Sequence, residues 1–203
     1  MDEIEVFADI TCPFAHVGLR RLVQERERQG RSTPTLHLRA WPLELVNDAP
    51  HDGRGAAEKG AALREQVAPD MFAHVDPATF PRSSLPALAL ANAAYRRDVA
   101  TGEAVSLALR DAVFEEGRDV SDPDVLAEIA AANGIEPATD ADAAAVLDDW
   151  KAGQARGVIG SPHFFFGDEN AFCPTLSITR PEGVLHIEMD EPAFEAFIGK
   201  IFG

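Results

Sequence analysis

Sulfur is scarce in this chain. Among 203 residues there are two cysteines and three methionines. Two cysteines do not build the disulfide framework of a small secreted domain. A chain that is 46% hydrophobic can bury one sizeable core without such staples. Positive charge is also in deficit: 18 Lys and Arg face 34 Asp and Glu, for a formal net charge of −16. A surface of that sign repels phosphate backbones, so no nucleic-acid partner is expected. No apolar run approaches the ~20 residues that cross a bilayer, so no membrane partner is expected either. The stretch Met1–Phe7 has no basic start and no apolar run of signal-peptide length. The expected location is the cytoplasm, where a thiol serves either packing or reactivity.

Motifs for two other chemistries are missing. A zinc site needs clustered Cys and His, but Cys12-x-x-x-His16 is one spacing without a second pair. His37, His51, His74 and His186 are scattered, as surface or packing residues are. No metal is therefore expected. A cysteine-phosphatase loop needs Arg six positions after the cysteine, and that position is Gly18.

The patterning that is present starts with a strand over residues 3–10, alternating acidic and apolar and then fully apolar. Residues 13–29 carry Phe14, Val17, Leu19, Leu22 and Val23 at helical spacing, with Gly30 as a stop. Leu36–Trp41 alternates again, giving a βαβ unit with parallel pairing. From 56 to 155 the chain is rich in Ala, Leu, Glu and Arg. Helices are expected near 56–68, 85–100, 101–117, 123–133 and 140–155, with Asp140, Asp142, Asp148 and Asp149 as a solvated face. Strand character returns at His163–Phe166, then as a hairpin of Thr175–Thr179 and Val184–Glu188, before a last helix over 191–202. Trp41 and Trp150 read as core or groove aromatics.

Cys12 lies at the seam between the first strand and the first helix, in Phe7-Ala8-Asp9-Ile10-Thr11-Cys12-Pro13-Phe14-Ala15-His16. A cysteine at a helix start faces free N–H groups and the positive end of the helix dipole, which lower a thiol pKa from ~8.5 toward roughly 3.5–7.5. Pro13 suits the first helical position, where an N–H has no intrahelical partner. The bland alternative for Cys12 is a small buried hydrophobe. His16, four residues on, shares its helical face and could donate to a thiolate, or simply pack. Asp9 is either a buried acid coupled to the thiol or a helix-start cap.

The second stretch is Gly157-Val158-Ile159-Gly160-Ser161-Pro162-His163-Phe164. Proline opening an apolar strand cannot donate to the ladder. A cis Ser161–Pro162 peptide would let Ser161 offer its backbone to an extended ligand; a trans strand-edge proline is the alternative. Cys173 is either a distant disulfide partner for Cys12 or a buried free thiol, and pairing would need Cα atoms within ~7 Å.

The order of these parts resembles the DsbA family of thioredoxin-like proteins. It is most similar to the cytoplasmic FrnE-like branch, related to 2-hydroxychromene-2-carboxylate isomerases and kappa-class glutathione transferases. The resemblance also covers Leu109–Gly117 and Val125–Ala130, which look like late helices of the family's insertion. It implies an α/β thioredoxin-like fold with a long α-helical insertion: residues 1–55 and 156–203 form the thioredoxin-like domain and 56–155 the inserted one. It implies that Cys12 is the nucleophile, Pro13 and Phe14 the intervening residues, and Ala15 the replacement of the resolving cysteine. Ser161 and Pro162 would form the loop that pairs with a bound peptide or thiol. The implied function is thiol–disulfide oxidoreduction, with no required cofactor and with glutathione as a candidate thiol. The alternatives are a glutathione-dependent isomerase or transferase and a catalytically silent binding module. The implied partner is a thiol or disulfide, small or peptidic; a homodimer is compatible with the resemblance.

Overall fold

Alternation in the first strand sorts its side chains onto two faces. In β1 (Glu3–Ala8), Ile4, Val6 and Ala8 point one way and Phe7 the other. The computed structural model describes residues 1–203. After β1 come α1 (Pro13–Arg28), β2 (Thr35–Ala40) and the short α2 (Leu43–Val46). The helical block follows: α3 (Gly53–Gln66), α4 (Leu85–Tyr95), α5 (Val99–Phe114), α6 (Pro123–Ala132) and α7 (Asp140–Ala155). The chain closes with β3 (His163–Phe166), β4 (Glu169–Phe172), β5 (Leu176–Thr179), β6 (His186–Met189) and α8 (Glu191–Phe202).

The main sheet has four strands in the order β2-β1-β3-β4. β1 pairs with β2 in parallel, Val6 opposite Leu38, and with β3 antiparallel, Val6 opposite Phe164. α1 and α8 cover the face bearing Ile4, Val6, Leu36, Leu38, Phe164 and Phe166, through Leu19, Leu22, Phe194 and Phe197. The opposite face carries Phe7, Trp41 and Val158 beneath α7. There Gly153 lets α7 approach closely: a Cβ at this position would lie 2.7 Å from the Trp41 ring and 3.0 Å from Phe7. The main fold is thus the expected thioredoxin-like α/β arrangement.

Hairpin β3–β4 departs from the sequence reading. The strand at 163–166 turns back at once through Gly167, with φ +59°, and pairs with 169–172. The polar stretch Asp168-Glu169-Asn170 conceals β4, which is an exposed edge strand and needs little apolar content. The hairpin expected downstream does form, but β5 and β6 pair only with each other as a separate two-stranded sheet.

The helical block protects the other edge. Tyr95 accepts from Leu38 N at 2.9 Å and donates to Leu36 O at 2.8 Å. Glu103 accepts from Leu36 N at 2.6 Å and Asp149 from Ala40 N at 3.1 Å. These side chains stand where a further strand would pair. The same geometry corrects the acidic face of α7. Asp149 is buried against Arg39 and the β2 backbone, and Asp142 is buried in a capping box with Thr139 while Arg96 holds it from above. Only Asp140 and Asp148 are solvated. The break between α4 and α5 falls at residues 96–98 instead of 100–101, because Asp98 caps Thr101 N at 2.7 Å. The larger apolar cluster joins Leu90, Leu109 and Phe114 of the block to Ile10 and Val17 near α1 and to Leu176 and Ile187 of the small sheet.

Candidate active site

Cys12 is the N-cap of α1, in extended backbone conformation (φ −82°, ψ 111°), with Pro13 in the first turn. Its side chain is 3% exposed. The thiol donates to the carbonyl of Ser161 at 3.2 Å. Burial is the dominant influence on its acidity and pushes the pKa up. The Ser161 hydroxyl and the N–H groups of Ala15 and Phe14 favour the thiolate, and the negative charge of Asp9 disfavours it. The net shift is upward. This corrects the expectation of a depressed pKa: the helix start is present, but desolvation outweighs it.

His16 is also corrected. It shares the helix face as expected, yet its ring is fully buried and turns to the helical block. Nε2 lies 2.7 Å from Glu115 Oε1, and the ring stacks on Phe114 with centroids 4.9 Å apart. Nδ1 has no partner, so no hydrogen bond reaches the Cys12 sulfur. Burial pushes the His16 pKa down, against the opposing pull of Glu115. His16 is a packing and docking residue for the block.

Asp9 is the buried acid of the site, with none of its surface exposed. Its carboxylate accepts from Thr11 N and Thr11 Oγ1 at 2.8 Å, from Leu43 N at 2.5 Å and from Ser84 Oγ at 3.0 Å. His51 stands at the rim, 3.2 Å from Glu44 and 3.3 Å from the Thr11 hydroxyl. Arg110 is fully buried below, donating to Ser106 O, Ser106 Oγ and Asp9 O at 2.8, 2.6 and 3.3 Å. Burial pushes its pKa down to about 10. Ser84, Glu44, His51 and Arg110 escaped the sequence reading as site residues. They lie on loops and helices far from either motif, and no local spacing announces them.

The Ser161–Pro162 peptide is cis. Ser161 Oγ accepts from Asp9 N at 3.0 Å, which fixes the loop against the end of β1. Pro162 packs on α1, where a Cβ at Gly18 would sit 3.7 Å from its ring. On the solvent side, Ile159 and Phe172 expose apolar surface beside the loop. Cys173 follows β4 with φ +43°, and its N–H donates to Pro162 O at 3.0 Å. Both cysteines are free thiols. Cys12, Pro13, Phe14, Ala15, Ser161, Pro162 and Cys173 thus gather at one end of the sheet, while the ring of His16 leaves it. No group of three or more His, Cys, Asp or Glu is placed to hold a metal ion.

The DSBA-like thioredoxin domain model matches residues 3–181, which span both motifs and the whole helical block. The chain belongs to that family. Three solved structures share the fold of this DSBA-like thioredoxin domain. One is 2-hydroxychromene-2-carboxylate isomerase, with TM-score 0.66 and 17% identity, covering 98% of this chain and 96% of that one. Another is a candidate protein disulfide isomerase from Nitrosomonas europaea, with TM-score 0.64 and 13% identity, covering 98% of each chain. A third is the cytosolic disulfide reductase DsbM from Pseudomonas aeruginosa with glutathione, with TM-score 0.52 and 19% identity, covering 98% of each chain. No curated protein matches the chain. No helix in the chain is long and apolar enough to cross a membrane.

Proposed function

We propose that this protein is a glutathione-dependent thiol–disulfide oxidoreductase acting through Cys12. The observation that carries the reading is the Cys12 thiol at the start of α1, donating to Ser161 O at 3.2 Å beside Pro162. In the resting protein burial keeps the sulfur protonated. When the proton leaves, the Ser161 hydroxyl and the N–H groups of Phe14 and Ala15 hold the thiolate. The same event releases Ser161 O from its S–H donor, so it can accept an N–H from an extended partner. The thiolate attacks one sulfur of a disulfide, forms a mixed disulfide and expels the other sulfur as a thiolate. Glutathione then supplies the two electrons that return Cys12 to its free thiol, and leaves as glutathione disulfide. The glutathione-bound fold neighbour supports glutathione as that thiol. The cytoplasm, where glutathione is kept reduced, is the location that suits this cycle.

A second reading rests on Ala15, which is fully buried where a dithiol enzyme carries its second sulfur. A glutathione-dependent isomerase or transferase of the hydroxychromene carboxylate type needs no second thiol. Reduction of insulin and of a glutathionylated peptide, each with and without glutathione, separates the two. Glutathione-dependent turnover that is lost in Cys12→Ser is expected. Turnover unchanged in Cys12→Ser, or isomerisation without any disulfide reduction, would overturn the oxidoreductase reading. Glutathione binding with no turnover of either kind would leave a silent binding module.

A further inference from the structure

Ala15 leaves Cys12 without a resolving partner on its own helix, but the sheet brings a second thiol to the same loop. β3 and β4 pair antiparallel with His163 opposite Phe172 and Phe164 opposite Ala171. The next step of that register sets Pro162 opposite Cys173, and the Cys173 N–H to Pro162 O bond at 3.0 Å extends the ladder to this pair. Pro162 faces α1, against Gly18, and Phe164 and Ala171 pack into the cluster that holds Cys12, Leu19 and Leu22. Cys173 packs against the cluster that includes Ile10 and Val17, the latter on α1, and its N–H bonds to Pro162 O, next to the Ser161 carbonyl that accepts the Cys12 thiol at 3.2 Å.

The geometry points to Cys173 as the resolving thiol of this site, taking the place of the missing cysteine at position 15. The inference rests on Cys12 being the attacking thiol. Cys12 attacks a substrate disulfide, bonds to one of its sulfurs and expels the other. The Cys173 thiolate next attacks Cys12 Sγ. A Cys12–Cys173 disulfide forms, the substrate–Cys12 bond breaks, and the second substrate sulfur leaves as a thiolate. The substrate disulfide is reduced by two electrons and the two protein thiols are oxidised by the same two. Their protons end on the departing thiolates. Two equivalents of glutathione reduce the protein disulfide and leave as glutathione disulfide.

One feature suits Cys173 to act second. Its thiol is pushed up to about 12, first by burial and then by the negative charge of Cys12. Capping Cys12 in a mixed disulfide removes any thiolate charge at position 12 that would oppose ionisation of Cys173.

The test is reaction of the full-length reduced protein with glutathione disulfide, followed by acid quench, intact mass and peptide mapping. The expected course for wild type is a transient single-glutathione adduct on Cys12 that gives way to a Cys12–Cys173 cross-link without bound glutathione. Cys173→Ser is expected to stop at the adduct, with complete loss of the cross-link; Cys173→Ala serves as a second variant should the serine form misfold. A stable adduct on Cys12 in wild type, with Cys173 still free to alkylation, would overturn the resolving role and leave Cys12 as nucleophile intact. Absence of any adduct on Cys12 would remove both readings together.

Discussion

The hydroxyl of Ser161 accepts the backbone N–H of Asp9 at 3.0 Å, joining segments 152 positions apart in sequence. This bond seats the Ser161–Pro162 loop on the end of β1, three residues before Cys12. The site is therefore built by β1 and β3 pairing side by side, and Asp9 serves both the loop and the thiol.

Asp9→Asn removes a negative charge that works against the Cys12 thiolate. The Cys12 pKa is expected to fall, read as a shift of the iodoacetamide rate profile to lower pH. Asp9→Ala strips partners from Leu43 N, Thr11 N and Ser84 Oγ as well, and is expected to cost about 3 kcal/mol of stability. Urea unfolding measures that cost. An unshifted profile in Asp9→Asn would dissociate the acid from the thiol.

Because burial holds the Cys12 pKa above the ordinary thiol value, the thiolate fraction is small at neutral pH. Disulfide reduction by the wild type is expected to climb with pH through neutrality and past that ordinary value. A rate already flat at neutral pH would contradict the raised pKa. Cys12→Ser should abolish the reaction while costing no more than about 2 kcal/mol of stability.

Acid should loosen the docking of α1 on the helical block. Burial depresses the His16 pKa below its unfolded value of 6.5. Burial works to raise the Glu115 carboxyl, but His16 and the N–H groups of Phe72 and Ala73 together hold it below its usual value of 4.5. In both cases the unfolded chain binds more protons. Stability is therefore full above 6.5 and is lost as pH falls, first through His16 and then through Glu115, each at a slope of at most about 1.4 kcal/mol per pH unit. Urea midpoints from neutral pH downward measure this. His16→Phe should flatten the loss in the upper part of the range.

Ala15→Cys restores a second sulfur one helical turn from Cys12. We expect a disulfide between Cys12 and the introduced thiol on mild oxidation, and insulin reduction that still draws its electrons from glutathione but runs faster. No gain in rate would mean that resolution by a second protein thiol does not limit the cycle.

Gly153→Ala should destabilise the protein by about 1–3 kcal/mol, because the added methyl meets the Trp41 ring at 2.7 Å and Phe7 at 3.0 Å. Thermal unfolding reads the loss. An unchanged midpoint would show that α7 can lift from the sheet at no cost.

Much of the architecture is legible in sequence because its signals are local. The Cys12-Pro13 start of α1, Gly30 beyond its end, and the apolar periods of α1 and α8 each act within a few residues. The stretch 169–172 was not legible, since a polar edge strand is made by its partner and not by its own hydrophobicity. Nor was the burial of Asp142 and Asp149, whose Arg96, Arg39 and Ala40 partners lie on other elements.

By itself, the sequence determined where the thiol sits on its helix, that no cysteine follows at position 15, and that Gly160-Ser161-Pro162 opens a strand. These are covalent order and short-range propensity. Only the tertiary structure decided that the Cys12 sulfur is buried against Ser161 O with a raised pKa, that His16 turns to Glu115, and that Cys173 faces the same loop. Desolvation and long-range charge depend on what packs around a group, and here Glu115 and Ser161 come from elements 99 and 149 positions further along the chain.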